Sequence, residues 1–240
     1  MPIKEPEVSS QYLWQDLRMA DYGFLGGLTK RSLGNMKDAQ VRKKFFESQK
    51  LKGKMPRALS QVHGTRIFHA EKGAEKVLEG DGWFANDGEM LPLILVADCV
   101  PLFIWSKKEP VFGVFHAGWR GMAKSFAYIA STEMQRLFNL NAKDLLASAG
   151  PHIGVCCCEV GPEIKEFFPK EDFIDDKKGL RLDLNIEAKN QLLRSGLSED
   201  SIYLSLECTV CAPGYFSHRN GETERMAAFM TLKEGLSCRK

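Results

Sequence analysis

The chain has 240 residues, of which 44% are hydrophobic and 27% charged, and its formal net charge is +2. Such a chain can bury a sizeable core, and its charge gives no electrostatic case for binding nucleic acid or an anionic membrane. The most apolar window, residues 90–105, is too short to span a bilayer and is broken by Asp98 and Pro101.

Residues 1–17 carry Lys4, Glu5, Glu7 and Asp16 and lack the apolar centre of a signal peptide, which points to a soluble, cytoplasmic protein. Residues 1–20 are polar and suit an arm or a short leading strand. The stretch 21–35, with Gly23, Gly26, Gly27 and Gly34, reads as a loop. Asp38 is placed to cap a helix running through Val41, Phe45 and Phe46 to about residue 50. A turn over 52–56 then leads to strand candidates over 57–63 and 66–70, and 71–79 is charged and exposed. Asp81-Gly82 reads as a turn.

The apolar runs 91–96, 102–105 and 111–115 predict adjacent buried strands. A helix follows over 122–138, with Met122, Phe126, Ile129, Met134 and Leu137 near one face. A strand over 145–149 runs into the loop Gly150-Pro151-His152-Ile153-Gly154 and the cysteine triplet Cys156-Cys157-Cys158. Next come a short helix over 163–168, a charged surface loop over 170–178, and a helix over 185–195 with Ile186, Leu192 and Leu193 inward. The pattern closes with strands over 202–206, 214–218 and 226–232. No repeat, low-complexity tract or linker divides the chain, so residues 1–240 read as one α/β (α+β) domain with mixed β-sheets flanked by helices.

Three apolar runs end near soft-metal or nucleophile-type side chains: His63, Cys99 and His116. Two imidazoles and a thiolate suit zinc, with copper as the alternative, and three protein ligands leave a fourth position open. Cys99 and His116 equally fit a metal-free nucleophile–base pair with Asp98 orienting the ring. The odd total of seven cysteines, including three in a row, argues against a disulfide framework. Cys208-Thr209-Val210-Cys211 can be half a structural zinc site, completed from Cys156–Cys158, a redox pair, or simply a set of small buried residues. Arg120, Arg219 and Arg225 are candidate anion holders, each with a solvated surface role as the plainer reading. His152 either lines a site or is exposed, and no phosphate loop or dinucleotide fingerprint is present.

Taken together, Gln61-Val62-His63-Gly64, Ala97-Asp98-Cys99-Val100-Pro101, His116-Ala117-Gly118-Trp119-Arg120-Gly121, Gly150-Pro151-His152-Ile153-Gly154 with Cys156-Cys157-Cys158-Glu159-Val160-Gly161, Leu182-Asp183-Leu184 and the run 219–227 resemble the laccase-domain family, also called YfiH-like or polyphenol-oxidase-like. They stand in family order between about residues 57 and 232. The resemblance implies a YfiH-like domain with a metal, usually zinc, held by His63, Cys99 and His116. It also implies phosphorolysis of adenosine, inosine, guanosine or methylthioadenosine and deamination of adenosine, with nucleoside and phosphate as the partners of a monomer or weak homodimer.

On that reading Cys99, His116, Asp98 and Arg120 are the catalytic candidates, and Arg219, Arg225, Glu159 and His152 bind substrate, with Asp98 and Glu159 as proton carriers. The family's other labels are copper-dependent polyphenol oxidase and a cysteine hydrolase acting on a peptidoglycan precursor; a binding module with a structural metal is a further reading. Five histidines are too few for the usual four-copper arrangement. Three departures from the family pattern stand out: a reduced glycine loop over 25–31, Glu224 where a glycine is usual, and Cys158 in place of an aromatic.

Overall fold

The computed structural model describes residues 7–48, 51, 53–71 and 77–233. Leading strands β1 (Glu7–Ser9) and β2 (Leu13–Asp16) pair antiparallel, a one-turn helix α1 (Arg18–Asp21) follows, and β3 (Phe24–Thr29) returns alongside β2. The described part of the leading segment is therefore built into a sheet rather than trailing as an arm. The predicted glycine loop is corrected too, because Gly26 and Gly27 lie inside β3. A Cβ on Gly27 would meet the Trp14 carbonyl oxygen at 2.2 Å, so glycine here serves close strand packing, not a turn.

Helix α2 (Ala39–Ser48) starts where expected, the Asp38 carboxylate accepting the Gln40 N–H at 2.7 Å. β4 (Met55–Arg57) occupies part of the predicted turn, and residues 58–63 are irregular instead of a strand. β5 (Ile67–His69) is followed by 72–76, which lie outside the described residues, and then by β6 (Gly82–Ala85). Strands β7 (Met90–Val96), β8 (Val100–Ser106) and β9 (Phe112–Ala117) match the three apolar runs.

The long helix is two pieces, α3 (Trp119–Met122) and α4 (Phe126–Phe138), separated at Ser125 with φ 60°. Its buried face is Phe126, Ala130 and Met134, whereas Leu137 is exposed. β10 (Leu145–Ala149) follows. The predicted charged loop is a hairpin of β11 (Phe173–Asp176) and β12 (Gly179–Leu182). Helix α5 (Leu184–Arg194) is capped by Asp183, which accepts the Asn185 N–H at 2.9 Å. Its buried face is Leu184, Ala188, Gln191 and Leu192, with Ile186 outward. The chain closes with β13 (Ile202–Leu204) and β14 (Met226–Leu232); residues 214–218 form turns, not a strand.

The strands form two six-stranded mixed sheets, ordered β1-β2-β3-β14-β7-β4 and β13-β10-β8-β9-β6-β5. Alternate residues fix how they stack. Trp14, Met90, Ile94, Ala228 and Met230 of the first sheet meet Trp83, Phe103, Trp105, Phe112 and Val114 of the second in one core. The opposite face of the second sheet, with Leu102, Ile104, Phe115 and Ala147, packs on α3, α4 and α5. Leu91, Leu93, Ala227 and Phe229 of the first sheet take Phe45 and Phe46 of α2. The result is a helix–sheet–sheet–helix stack. Its central strands are buried on both faces, which explains their unbroken apolar runs in spite of antiparallel pairing. Among the described residues no helix is long and apolar enough to cross a membrane.

A buried acid beneath α5 makes stability depend on pH. Asp172 is fully buried, and its burial, with the carboxyls of Glu187, Glu171 and Asp183 nearby, pushes its pKa from 3.8 up to about 8. The folded state thus holds a proton that the unfolded chain releases. This contribution is complete below the unfolded value of 3.8 and is lost as pH rises through about 8. Asp172→Asn is expected to remove up to about 1 kcal/mol per pH unit of that decline. Thermal unfolding of both proteins from pH 4 to 9 checks it; parallel profiles would contradict it.

Candidate metal centre and active site

Strand register builds the site. In the β8–β9 pair, Val100 faces Ala117 and Pro101 faces His116, so the preceding Cys99 stands against Gly118. A Cβ on Gly118 would lie 3.1 Å from the Cys99 Sγ and 3.2 Å from the His63 Cδ2; the missing side chain makes room for both. In the β6–β9 pair, Gly82 faces Phe115, which sets Asp81 beside His116. The His116 N–H donates to the Asp81 carbonyl at 2.7 Å, extending that pairing by one residue.

Asp81 is fully buried and organises both imidazoles. Its carboxylate accepts the His116 Nδ1–H at 2.8 Å and the backbone N–H groups of His63 at 2.9 Å and Gly64 at 2.7 Å. The bond to Nδ1 fixes the tautomer and leaves the His116 Nε2 as the ligand atom. The bonds to the 63–64 backbone hold His63 at φ 57°, a strained value for a side-chain-bearing residue. Burial opposes the charge on Asp81, yet the hydrogen bonds from His116, Gly64 and His63 keep its pKa below the ordinary carboxylate value.

The ligand atoms of His63, Cys99 and His116 lie within 4.8 Å of one another, and the two imidazole centroids are 4.7 Å apart at 72°. A single ion held at about 2.0 Å from nitrogen and 2.3 Å from sulfur needs ligand atoms roughly 3.3–3.6 Å apart, a spacing within the reach of this arrangement. The donor set, two nitrogens and a thiol with a carboxylate behind one imidazole, fits a borderline-soft divalent ion. Burial would push the Cys99 thiol up, but the adjacent His116 and His63 bring it down to about 6. Burial would likewise push His116 down, but Cys99 and Asp81 carry it up to about 9. Cys99 is thus ready as a thiolate near neutral pH.

Two cavities adjoin the triad and share His63, Ala97, Cys99 and His218 along their walls. One, of about 500 Å³, is largely apolar, with Trp119, Ile153, Val160, Ile164 and Leu184, and carries Arg120, Glu159 and Arg219 at its edge. The other, of about 460 Å³, is lined by His116, Gln61, Lys37 and Arg225. Both volumes suit a small organic ligand.

The remaining expected site residues fall as follows. Arg120 is exposed and its guanidinium lies 4.3 Å from the Trp119 ring centroid. Arg219 is oriented by the carbonyls of Cys157 and Glu159, which accept from its guanidinium at 3.3 and 2.9 Å. Arg225 donates to the carbonyls of Glu222 and Glu224 at 3.3 and 2.7 Å. His152 is buried, donates through Nδ1 to the Gly150 carbonyl at 2.8 Å and lines neither of these two cavities.

Asp98, at φ 80°, spends its carboxylate on three donors: the hydroxyl of Thr209 at 2.6 Å, that of Ser217 at 3.0 Å, and the Arg219 N–H at 2.7 Å. Those bonds brace the 209–219 loop against the cavity, an engagement different from that of a free proton carrier. Sequence reasoning missed Asp81 and His218. An acid abutting the apolar run Gly82-Trp83-Phe84 was the available signal for the first, since a buried carboxylate needs donors. No comparable signal marks His218.

A model of the family described as multi-copper polyphenol oxidoreductase laccase matches residues 36–233. The chain belongs to that family. Among relatives of this laccase-family chain, purine nucleoside phosphorylase YlmD of Geobacillus stearothermophilus is 30% identical over 194 residues, 72% of this chain and 71% of that protein. A purine nucleoside phosphorylase of Aquifex aeolicus is 33% identical over 174 residues, 72% of this chain and 80% of that protein. The crystal structure of YlmD from Geobacillus stearothermophilus superposes with a TM-score of 0.86 at 25% identity, covering 96% of this chain and all (100%) of the other. The α/β stack described above is therefore the fold of this laccase family.

Proposed function

We propose that this protein is a zinc-dependent purine nucleoside phosphorylase acting on adenosine, inosine, guanosine and methylthioadenosine, which also deaminates adenosine. The observation that carries the reading is the meeting of His63, Cys99 and His116 between two ligand-sized cavities, in a chain about a third identical to named purine nucleoside phosphorylases. His63, Cys99 and the Nε2 of His116 would hold the zinc ion, which when bound supplies Lewis-acid polarisation beside the substrate. The six described cysteines are all free, which suits a cytoplasmic setting.

The nucleoside enters the larger cavity, its base against Trp119, Ile153 and Ile164. In phosphorolysis a phosphate oxygen bonds to the sugar carbon as the bond to the base nitrogen breaks, and positive charge builds on the sugar. Arg219, held rigid by two carbonyls, and Arg120 lie where they attract the phosphate dianion; Lys37 and Arg225 do the same from the second cavity. Glu159, at the wall of the larger cavity, is the candidate that passes a proton to the departing base. Asp98 acts by positioning Arg219.

The test is incubation of purified protein with adenosine, with and without phosphate. Free adenine and ribose 1-phosphate appearing only with phosphate support phosphorolysis, and inosine supports deamination. Phenol oxidation by copper-loaded protein without nucleoside turnover would replace the reading with polyphenol oxidase. One observation favours a second reading. Cys99 and His116 stand side by side, and without a metal the thiol, drawn down to about 6, and the imidazole, carried up to about 9, would make the thiolate–imidazolium pair that a cysteine hydrolase uses. Activity that survives thorough chelation but is destroyed by thiol alkylation would select it.

A further inference from the structure

A second group of soft ligands lies apart from the His63–Cys99–His116 site. The sulfurs of Cys156, Cys157, Cys208 and Cys211 are all within 4.8 Å of one another, with Cys157 to Cys211 at 3.3 Å and Cys156 to Cys211 at 3.7 Å. Four thiolates around one tetrahedral ion at about 2.3 Å stand roughly 3.8 Å apart. These two separations lie at and just below that value, and none of the others exceeds it by more than about 1 Å. A disulfide would need its sulfurs at about 2.05 Å, and none is formed here.

The backbone is shaped for a thiolate at this point. The Gly154 N–H donates to the Cys208 Sγ at 3.3 Å. Such an N–H donor to sulfur stabilises negative charge on a metal ligand. Gly154 is needed for the approach: a Cβ there would stand 3.2 Å from the Cys208 Cβ and 3.3 Å from the Cys156 Sγ. Cys208 is buried, while Cys156 and Cys211 are exposed, giving an ion a route in.

We propose that Cys156, Cys157, Cys208 and Cys211 bind one zinc ion in a closed, structural tetrathiolate site. The ion staples the loop after β10 to the loop after β13. Both loops form the wall of the larger cavity: the first carries Ile153 and Glu159, the second His218 and Arg219. The Cys157 carbonyl is itself an acceptor for the Arg219 guanidinium, so the staple lies one bond from a cavity side chain.

The test is metal analysis of the full chain, purified under reducing conditions, with cobalt replacing zinc in parallel samples. The wild type is expected to hold about two zinc ions per chain. His63→Ala/His116→Ala should keep about one, with the intense sulfur-to-cobalt absorption of four thiolates. Cys156→Ser/Cys211→Ser should lose that ion and that absorption. If the cysteine variant fails to fold, the histidine variant decides alone, because all four thiols remain in it. Zinc-free histidine variant, unchanged zinc in a folded cysteine variant, iron in place of zinc, or a Cys157–Cys211 disulfide in metal-free wild type would each overturn the proposal.

Discussion

Cys99→Ala is expected to lower kcat/KM for adenosine phosphorolysis by more than about a hundredfold, because outer-shell partners alone typically cost 10–100-fold. The sulfur is the one soft donor among the three candidate ligands, and register against Gly118 sets it beside His63 and His116. Its loss leaves two imidazoles 4.7 Å apart, a pair that retains zinc poorly. The fold should tolerate the change, since Cys99 is only half-buried at a strand junction and alanine leaves no large void. Equilibrium dialysis with zinc, thermal unfolding and steady-state kinetics on the same preparation check the three parts. Full turnover in a folded Cys99→Ala protein would remove the thiol from the reaction, and with it both the metal and the hydrolase readings.

Legibility in the sequence followed the physics of each segment. The three soft side chains near the ends of apolar runs stood out in the sequence, but the residues alone left a metal site and a metal-free Cys99–His116 pair both open, and the family resemblance was what favoured the triad. The strands at the centre of the stack were readable because burial on both faces leaves an unbroken apolar run. β3 was not, because Gly26 and Gly27 imitate a loop while serving tight contact with Trp14. The β11–β12 hairpin was not, because exposed acidic residues on a small two-stranded ribbon look like solvated coil. On α5 Leu192 is inward as expected, but Ile186 turns out and Gln191 turns in, its carbonyl accepting the Ala127 N–H at 2.9 Å. Tertiary hydrogen bonding there outweighed side-chain hydrophobicity.

The same limit explains the functional residues. Sequence places Cys99 and Asp98 side by side and suggests that both do chemistry. The fold separates their roles: the sulfur turns to the imidazoles, and the carboxylate turns to Thr209, Ser217 and Arg219. Residues 97–99 form a bend with Asp98 at φ 80°, and in it the motif Ala97-Asp98-Cys99 sets a candidate ligand to one side and a loop brace to the other.

Asp81 is where a single substitution should do the most damage, and two variants separate its two tasks. Asp81→Ala strips the acceptor from the His116 Nδ1–H and from the His63 and Gly64 N–H groups, all within a fully buried pocket. Removing one partner of a buried charged network typically costs about 3–5 kcal/mol, so a large fall in Tm is expected. Asp81→Asn keeps the shape but only one acceptor oxygen, which can serve either His63 and His116 or Gly64 but not both sides, so it puts an NH2 or a neutral carbonyl against His116 and costs one of the two backbone bonds. The imidazole is then a weaker donor ligand with a less defined tautomer. Asp81→Asn should therefore lose less stability than Asp81→Ala, yet bind zinc about 10–100-fold more weakly, with phosphorolysis falling in parallel at limiting zinc. Added zinc should recover much of the Asn variant's rate and none of the Ala variant's stability loss at the 63–64 backbone. Equal zinc affinity in wild type and Asp81→Asn would mean that the carboxylate only holds the loop, and that His116 needs no orienting partner to act as a ligand.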